Sequence, residues 1–202
     1  MSIKSRWAWI DDRVLEVTLG LALLLVGLIG AAFPILGVTG PLSPVDTRDV
    51  HLDGVADIPG TTTSGAVTLR GNDTAELVFA APDLGQRVLL VLPGLTATVL
   101  ALTILGLLLR MARTFQQGDA FVPQNARRLN GIALAVLLIA TLVPLLDTVT
   151  TEVLVSGRPV ESAIENTYEV SAIWWLVALL IAATAGAFRH GTRLRADTEG
   201  LV

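Results

Sequence analysis

Few side chains in this sequence are of the types and spacing that perform chemistry. Asp49, His51 and Asp53 alternate, so on a β-strand they would project from one face and could hold a metal ion. The same alternation is typical of a solvated acidic face, and no second histidine lies nearby. The only other histidine is His190, so the His-Glu-x-x-His ligand set of metalloproteases is absent. We therefore predict no metal site.

Asp147 is the second chemical candidate, because it lies within a long apolar stretch, three residues after Pro144. A carboxylate inside a membrane is costly to bury unless it pairs or reaches water, so such a residue is a functional candidate. It has two interpretations, a hydrated helix end at the membrane interface or part of a polar cavity or proton relay. The second interpretation predicts a small transporter or channel subunit that uses Asp147 and proline-broken helices.

The remaining sequence offers no catalytic machinery. A serine hydrolase needs a base beside its nucleophile, and no such pair is evident. The chain has no cysteine, which excludes disulfides and thiolate metal sites. Its basic segments are short and adjoin apolar stretches, which argues against direct nucleic-acid binding. We predict a protein that is not an enzyme and has no catalytic residue or cofactor.

Long apolar stretches determine the predicted fold. The 202 residues are 52% hydrophobic, and this content is gathered into four blocks long enough to cross a bilayer as helices. The fold class is mainly α, a polytopic four-helix transmembrane bundle with a small extracytoplasmic β-rich domain between helices 1 and 2. The predicted spans are residues 14–38, 88–110, 127–149 and 171–188. The segments between and around them are residues 1–13, 39–87, 111–126, 150–170 and 189–202.

Charge predicts the orientation of these spans. Most of the 14 basic residues precede the first span, lie between the second and third, or follow the fourth. Acidic residues gather in segments 39–87 and 150–170 instead. By the positive-inside rule, both termini are cytoplasmic and those two segments face outward. Trp174 and Trp175 then lie at the outer end of the fourth span, where indoles favour the headgroup zone.

The first outward segment has the alternation of β-strands. Residues 66–69 and 75–79 are separated by Gly71-Asn72-Asp73, a turn composition that predicts a hairpin. Residues 50–55 are a candidate third strand. So small a sheet has little core of its own, so we expect it to pack on the second outward segment or on a partner.

The connection between the second and third spans carries the most distinctive residues. Gly118 and Asp119 form a predicted turn, and Pro123 is placed to open the next helix. Asn125 and Arg128 are one helical turn apart and share a face. Arg127 and Arg128 are predicted to be available to anionic lipid at the inner surface.

In this connection the sequence resembles the DUF2975 family of bacterial four-span membrane proteins. The hallmark of that family is a glycine, a phenylalanine, an asparagine and an Arg-Leu pair before the third span. The residues that match this pattern are Gly118, Phe121, Asn125, Arg128 and Leu129. The resemblance implies a bacterial cytoplasmic (inner) membrane location and an association with small helix-turn-helix regulators. It implies no established activity.

Two interpretations of this connection remain. A capped turn with interfacial arginines would serve topology alone, whereas a cytoplasmic regulatory protein would read Asn125 and Arg128 as a docking surface. The second interpretation leads to the predicted function, a non-enzymatic sensory, regulatory or partner-binding protein of the bilayer. Its outward β segment would bind something in the envelope. The transporter alternative predicts a homo-oligomer around a polar path.

Overall fold

The computed structural model describes residues 3–42, 45–51, 74–116, 122–158, 161 and 164–199. Long helices dominate this part of the chain, with one short sheet between the first and second spans. The helices are α1 (Ile3–Gly27), α2 (Phe33–Thr39), α3 (Leu84–Gln116), α4 (Pro123–Val155) and α5 (Ala172–Glu199). A π-helical segment, Leu28–Ala32, joins α1 to α2, and the strands are β1 (Thr47–His51) and β2 (Thr74–Val78).

Four helical stretches in the described residues are long and apolar enough to cross a membrane, which confirms the predicted number of spans. They are Arg13–Thr39, Leu84–Gln116, Pro123–Val155 and Ala172–Thr192. α3 and α4 extend past the predicted spans at both ends and have 33 residues each. At 1.5 Å per residue such a helix is roughly 50 Å long, more than the hydrocarbon core requires. Hydropathy identifies only the apolar part of a helix, so a prediction based on it places the polar ends of α3 and α4 in loops.

Local side-chain chemistry explains where these helices begin and end. The Asp83 carboxylate accepts a bond from the Gln86 N–H at 2.7 Å, and the Gln86 side chain accepts one from the Asp83 N–H at 3.1 Å. This reciprocal capping box opens α3. Pro123 opens α4, as predicted. N–H groups in the first turn of a helix have no acceptor within the helix, so proline's lack of an N–H costs nothing there. Gly157 follows α4 with a φ of 72°, which a side chain would disfavour.

The first span contains a π-helical segment just before Pro34. Proline has no N–H to donate to the carbonyl four residues earlier, and the helix widens there so that the Phe33 N–H reaches the Leu28 carbonyl. Within the segment, Gly30 lies against Thr98, and a Cβ built on Gly30 would be 2.5 Å from the Thr98 hydroxyl. Only glycine allows α3 to approach this closely.

By internal contacts the chain divides into two compact units. The first unit comprises residues 1–33, 94–143 and 170–202, and the second comprises residues 34–93 and 144–169. The core of the first unit is formed by Met111, Ile132, Val136 and Ala178, with Leu129 packed against them. The core of the second is formed by Phe79, Leu90 and Leu154.

The second unit contains the sheet. β1 pairs antiparallel with β2, from Thr47 opposite Val78 to His51 opposite Thr74. β2 confirms the predicted strand at 75–79, whereas the predicted strand at 66–69 lies outside the described residues. The predicted strand at 50–55 is described only to His51, and it begins earlier, at Thr47. The segment between α4 and α5 contacts this sheet as expected, since the Glu165 N–H donates to the His51 carbonyl at 2.9 Å.

Candidate functional site

Among the described residues of the second unit, Arg48 is unusual because it is a charged side chain that is only 6% exposed. Alternation along β1 turns Arg48 and Val50 inward while Asp49 and His51 remain exposed. The Arg48 guanidinium donates to the Thr150 and Thr151 hydroxyls at 2.8 and 3.0 Å. It also donates to the Leu89 and Leu90 carbonyls at 3.1 and 3.3 Å. A strand residue is thereby bonded to both α3 and α4.

Pro93 explains why a carbonyl of α3 is available to Arg48. In a helix, the N–H of residue 93 would donate to the carbonyl of Leu89, but proline has no N–H. The Nη2 atom of Arg48 supplies the missing donor. On α4, the Thr150 hydroxyl donates to the Leu146 carbonyl at 2.6 Å, so its oxygen is free to accept from Arg48.

Asp147 lies beside this cluster and not within it. Its Oδ1 atom is 3.7 Å from the Arg48 guanidinium, and its side chain is 56% exposed. Burial lowers the pKa of the Arg48 guanidinium, and the negative charge of Asp147 opposes that shift. The hydroxyl and carbonyl acceptors, not the carboxylate, therefore hold Arg48 in place.

Asp147 also lines a cavity of about 270 Å³ in the second unit. The lining residues are His51, Pro144, Asp147, Thr148, Glu165, Thr167 and Glu169. Three carboxylates give this cavity an acidic character, which suits a cationic ligand. Of the alternating residues Asp49, His51 and Asp53, the last lies outside the described residues. Among the described residues, no group of three potential ligands is arranged to hold a metal ion.

A second polar cluster lies in the first unit, around Arg128. Its Nη1 atom donates to the Asn125 side-chain oxygen at 2.8 Å and to the Thr114 hydroxyl at 2.6 Å. The same nitrogen is 2.9 Å from the Arg110 carbonyl oxygen. Asn125 is completely buried. We call this set of four residues the Arg128 clamp, because it ties the end of α3 to the start of α4.

The clamp changes the interpretation of the predicted connection. Asn125 and Arg128 do meet on one helix face, as their spacing predicted, but the bonds they make are internal. Arg128 was predicted to be available to lipid together with Arg127; its guanidinium bonds to α3 instead, and Arg127 is the exposed member of the pair. Leu129 packs in the core, while Gly118 and Phe121 lie outside the described residues.

An ion pair joins two further elements of the first unit. Glu16 accepts from the Arg113 Nε atom at 2.9 Å, and both side chains are substantially exposed. Such an exposed pair contributes little to stability. The pair links α1 to α3 at the start of the first apolar stretch.

Sequence reasoning missed Arg48 and its threonine partners. The available signal was Pro93, because a proline within an apolar helix leaves a carbonyl that some donor must satisfy. Arg48 is one of the few basic residues in an otherwise acidic segment, and a guanidinium has enough donors to reach several acceptors at once.

Four long apolar helices with polar clusters bonded inside them define a multi-pass membrane protein. The chain matches the DUF2975 family, described as a protein of unknown function, over residues 70–202, and it belongs to this family. The match covers β2, the Arg128 clamp and Asp147, whereas Arg48 precedes it. No curated protein and no solved structure matches the chain.

Proposed function

We propose that the chain is a non-enzymatic, partner-binding protein of the bacterial inner membrane with a sensory or regulatory role. Its second unit faces outward and binds a cationic ligand of the envelope. The connection between α3 and α4 faces the cytoplasm and docks a regulatory protein. The single observation that carries this proposal is the Arg128 clamp, because it holds the ends of α3 and α4 in a fixed geometry.

The clamp supports docking by positioning other residues. Asn125 is buried, so a partner cannot contact it without unfolding the helix end. Phe115, which is 42% exposed near the end of α3, and Gln124, which is exposed at the start of α4, are among the described groups that a partner can reach. An exposed aromatic side chain beside exposed amides is a typical protein-binding surface. We call Phe115, Gln116 and Gln124 the docking surface.

The distribution of charge supports the orientation. Arg110, Arg113 and Arg127 are exposed around the connection between α3 and α4. Acidic Glu165 and Glu169 are exposed between α4 and α5. Basic residues are retained on the cytoplasmic side during insertion, so this asymmetry supports a cytoplasmic position for the docking surface.

Single-cysteine labelling tests the orientation directly, because the natural chain has no cysteine. Ser156→Cys is expected to react with a membrane-impermeant maleimide in intact bacterial spheroplasts, whereas Gln124→Cys is expected to react only after permeabilisation. Both side chains are exposed, so the reagent can reach them. Leu180→Cys, exposed within the apolar part of α5, is the control and should stay unlabelled in both conditions. The reverse pattern for Ser156 and Gln124 would overturn the orientation.

Docking is tested by in-cell crosslinking, purification in mild detergent and mass spectrometry. We expect a cytoplasmic protein to be recovered with the natural chain and lost by roughly tenfold or more with Phe115→Ser combined with Gln124→Ala. Arg128→Ala should also reduce recovery, because it releases the clamp. Ser156→Ala, an exposed change in the segment proposed to face outward, is the matched control. Equal recovery from all four chains would refute a docking role for this surface.

A transporter or channel subunit is the second candidate, favoured by the acid-lined cavity beside Asp147 and Pro144. Under that function the crosslinking experiment would recover only copies of the chain itself. Cation flux into vesicles would then depend on Asp147 and would be lost in Asp147→Asn. Under the proposed regulatory function, Asp147→Asn leaves recovery of the cytoplasmic partner unchanged.

A further inference from the structure

A second cavity, of about 370 Å³, lies in the first unit between the start of α4 and the last part of the α5 span. The residues that line it are Pro123, Ala126, Arg127, Asn130, Arg189 and Thr192. None of them carries a negative charge. Two guanidiniums from different helices therefore face one space together with the Asn130 amide, a set of donors that suits a phosphate group.

The two arginines of this cavity are available for a ligand. Arg127 and Arg189 are both exposed, and within the described part of the chain neither forms an ion pair. Two other arginines of the first unit differ in this respect, since Arg113 pairs with Glu16 and Arg128 is bonded inside the clamp. Two unpaired like charges around one cavity repel each other, and an anion between them relieves that repulsion.

The position of the cavity along the helices indicates which class of anion binds there. The apolar stretch of α4 begins at Gly131, just after Asn130, and that of α5 ends at Phe188, just before Arg189. The cavity therefore lies at the polar end of both stretches. Lipid headgroups occupy this depth in a membrane. Leu134, 57% exposed, is one helical turn beyond Asn130 on the same face of α4. An acyl chain attached to a headgroup in the cavity would therefore run along an apolar surface.

We propose that Arg127 and Arg189 bind the phosphate of an anionic phospholipid, with the Asn130 amide as a further donor and Leu134 against its acyl chain. The site does not depend on the partner or on the envelope ligand of the proposed function. It is a basic pocket between spans, of the kind that holds lipid headgroups on the cytoplasmic side. In this proposal Arg127 binds lipid, whereas Arg128, its neighbour in the sequence, is bonded inside the clamp.

Native mass spectrometry of the purified full-length chain in mild detergent tests this proposal. Phosphatidylglycerol is the probe, and phosphatidylcholine, which has no net charge, is the comparison lipid. We expect bound phosphatidylglycerol to exceed bound phosphatidylcholine, and Arg127→Gln with Arg189→Gln to reduce it by roughly tenfold or more. Each single variant should give an intermediate loss. Arg110→Gln is the matched control and should bind as the natural chain does. Its side chain is exposed outside the cavity, and the substitution keeps the backbone carbonyl that belongs to the clamp.

Two further arms separate a lipid site from a site for a soluble anion. Glycerol 3-phosphate has the same phosphate chemistry without acyl chains and should not displace phosphatidylglycerol at equal concentration. Leu134→Ser should weaken lipid retention while leaving the thermal midpoint near that of the natural chain. Unchanged phosphatidylglycerol retention in the double variant would overturn the site. Displacement by glycerol 3-phosphate would overturn the lipid assignment in favour of a soluble phosphate.

Discussion

Arg48→Ala is expected to destabilise the purified protein by about 3 kcal/mol. The substitution removes four hydrogen bonds from a charged donor and leaves the Leu89 carbonyl without a partner. An unsatisfied carbonyl that is fully buried costs about 1–3 kcal/mol, and the Leu89 carbonyl is partly buried. The measurement is the unfolding midpoint in mild detergent. Arg48→Lys should fall between the natural chain and the alanine variant, because a single ammonium cannot reach acceptors on both helices.

Asp147→Asn is the control for this prediction. The carboxylate is 3.7 Å from the guanidinium and more than half exposed, so solvent screens their attraction. We expect the unfolding free energy to change by less than about 1 kcal/mol. If Asp147→Asn were as destabilising as Arg48→Ala, the ion pair and not the hydroxyl and carbonyl acceptors would hold Arg48.

A double-mutant cycle with Pro93 isolates the role of the freed carbonyl. Pro93→Ala restores an N–H that can donate to the Leu89 carbonyl within α3. In the Pro93→Ala background, the loss of stability caused by Arg48→Ala should be smaller by about 1 kcal/mol than in the natural chain. The reason is that the Leu89 carbonyl then keeps a donor after Arg48 is removed. Additive effects of the two substitutions would show that the carbonyl does not depend on Arg48.

The parts of the fold that the sequence predicts correctly are those set by local rules. Backbone groups cannot remain unpaired in hydrocarbon, so a long apolar stretch such as 88–110 has to be helical, and it lies within α3. Pro123 opens α4 because its chemistry suits a first helical turn. The alternation before Phe79 is sufficient to predict β2.

Arg48 was not predictable in the same way, because its partners are distant in the sequence. The Leu89 carbonyl is 41 residues away and the Thr150 hydroxyl is 102 residues away. In a segment rich in acidic residues, an arginine has the pattern of a solvated surface charge. The Arg128 clamp shows a similar limit. Helical spacing predicts that Asn125 and Arg128 share a face, but it does not indicate that α3 covers that face.

Arg127 and Arg128 provide the sharpest comparison that the chain offers, since adjacent identical side chains have different surroundings. Arg128→Ala is expected to destabilise the protein by about 2 kcal/mol, because acceptors on two helices lose their charged donor. Arg127→Ala should change stability by less than about 0.5 kcal/mol, since its side chain is exposed. Thermal midpoints in mild detergent measure both effects. Equal effects of the two substitutions would contradict the clamp.

Asn125→Ala extends the comparison to the buried end of the clamp. It removes an acceptor of Arg128 at a position with no exposure, so we expect a loss of about 1–3 kcal/mol. The double variant with Arg128→Ala should be destabilised by less than the sum of the two single effects, because both substitutions break the same hydrogen bond. Gln124→Ala, an exposed neighbour, is the control for helix propensity.

Stability and partner recovery together decide how the clamp acts. If Arg128 positions the docking surface, Arg128→Ala lowers both the thermal midpoint and the recovery of the crosslinked partner. If Arg128→Ala instead abolished recovery at an unchanged midpoint, the guanidinium would contact the partner directly. That result would require Arg128 to leave Asn125 and Thr114 on binding, and it would contradict the positioning role that its three internal bonds support.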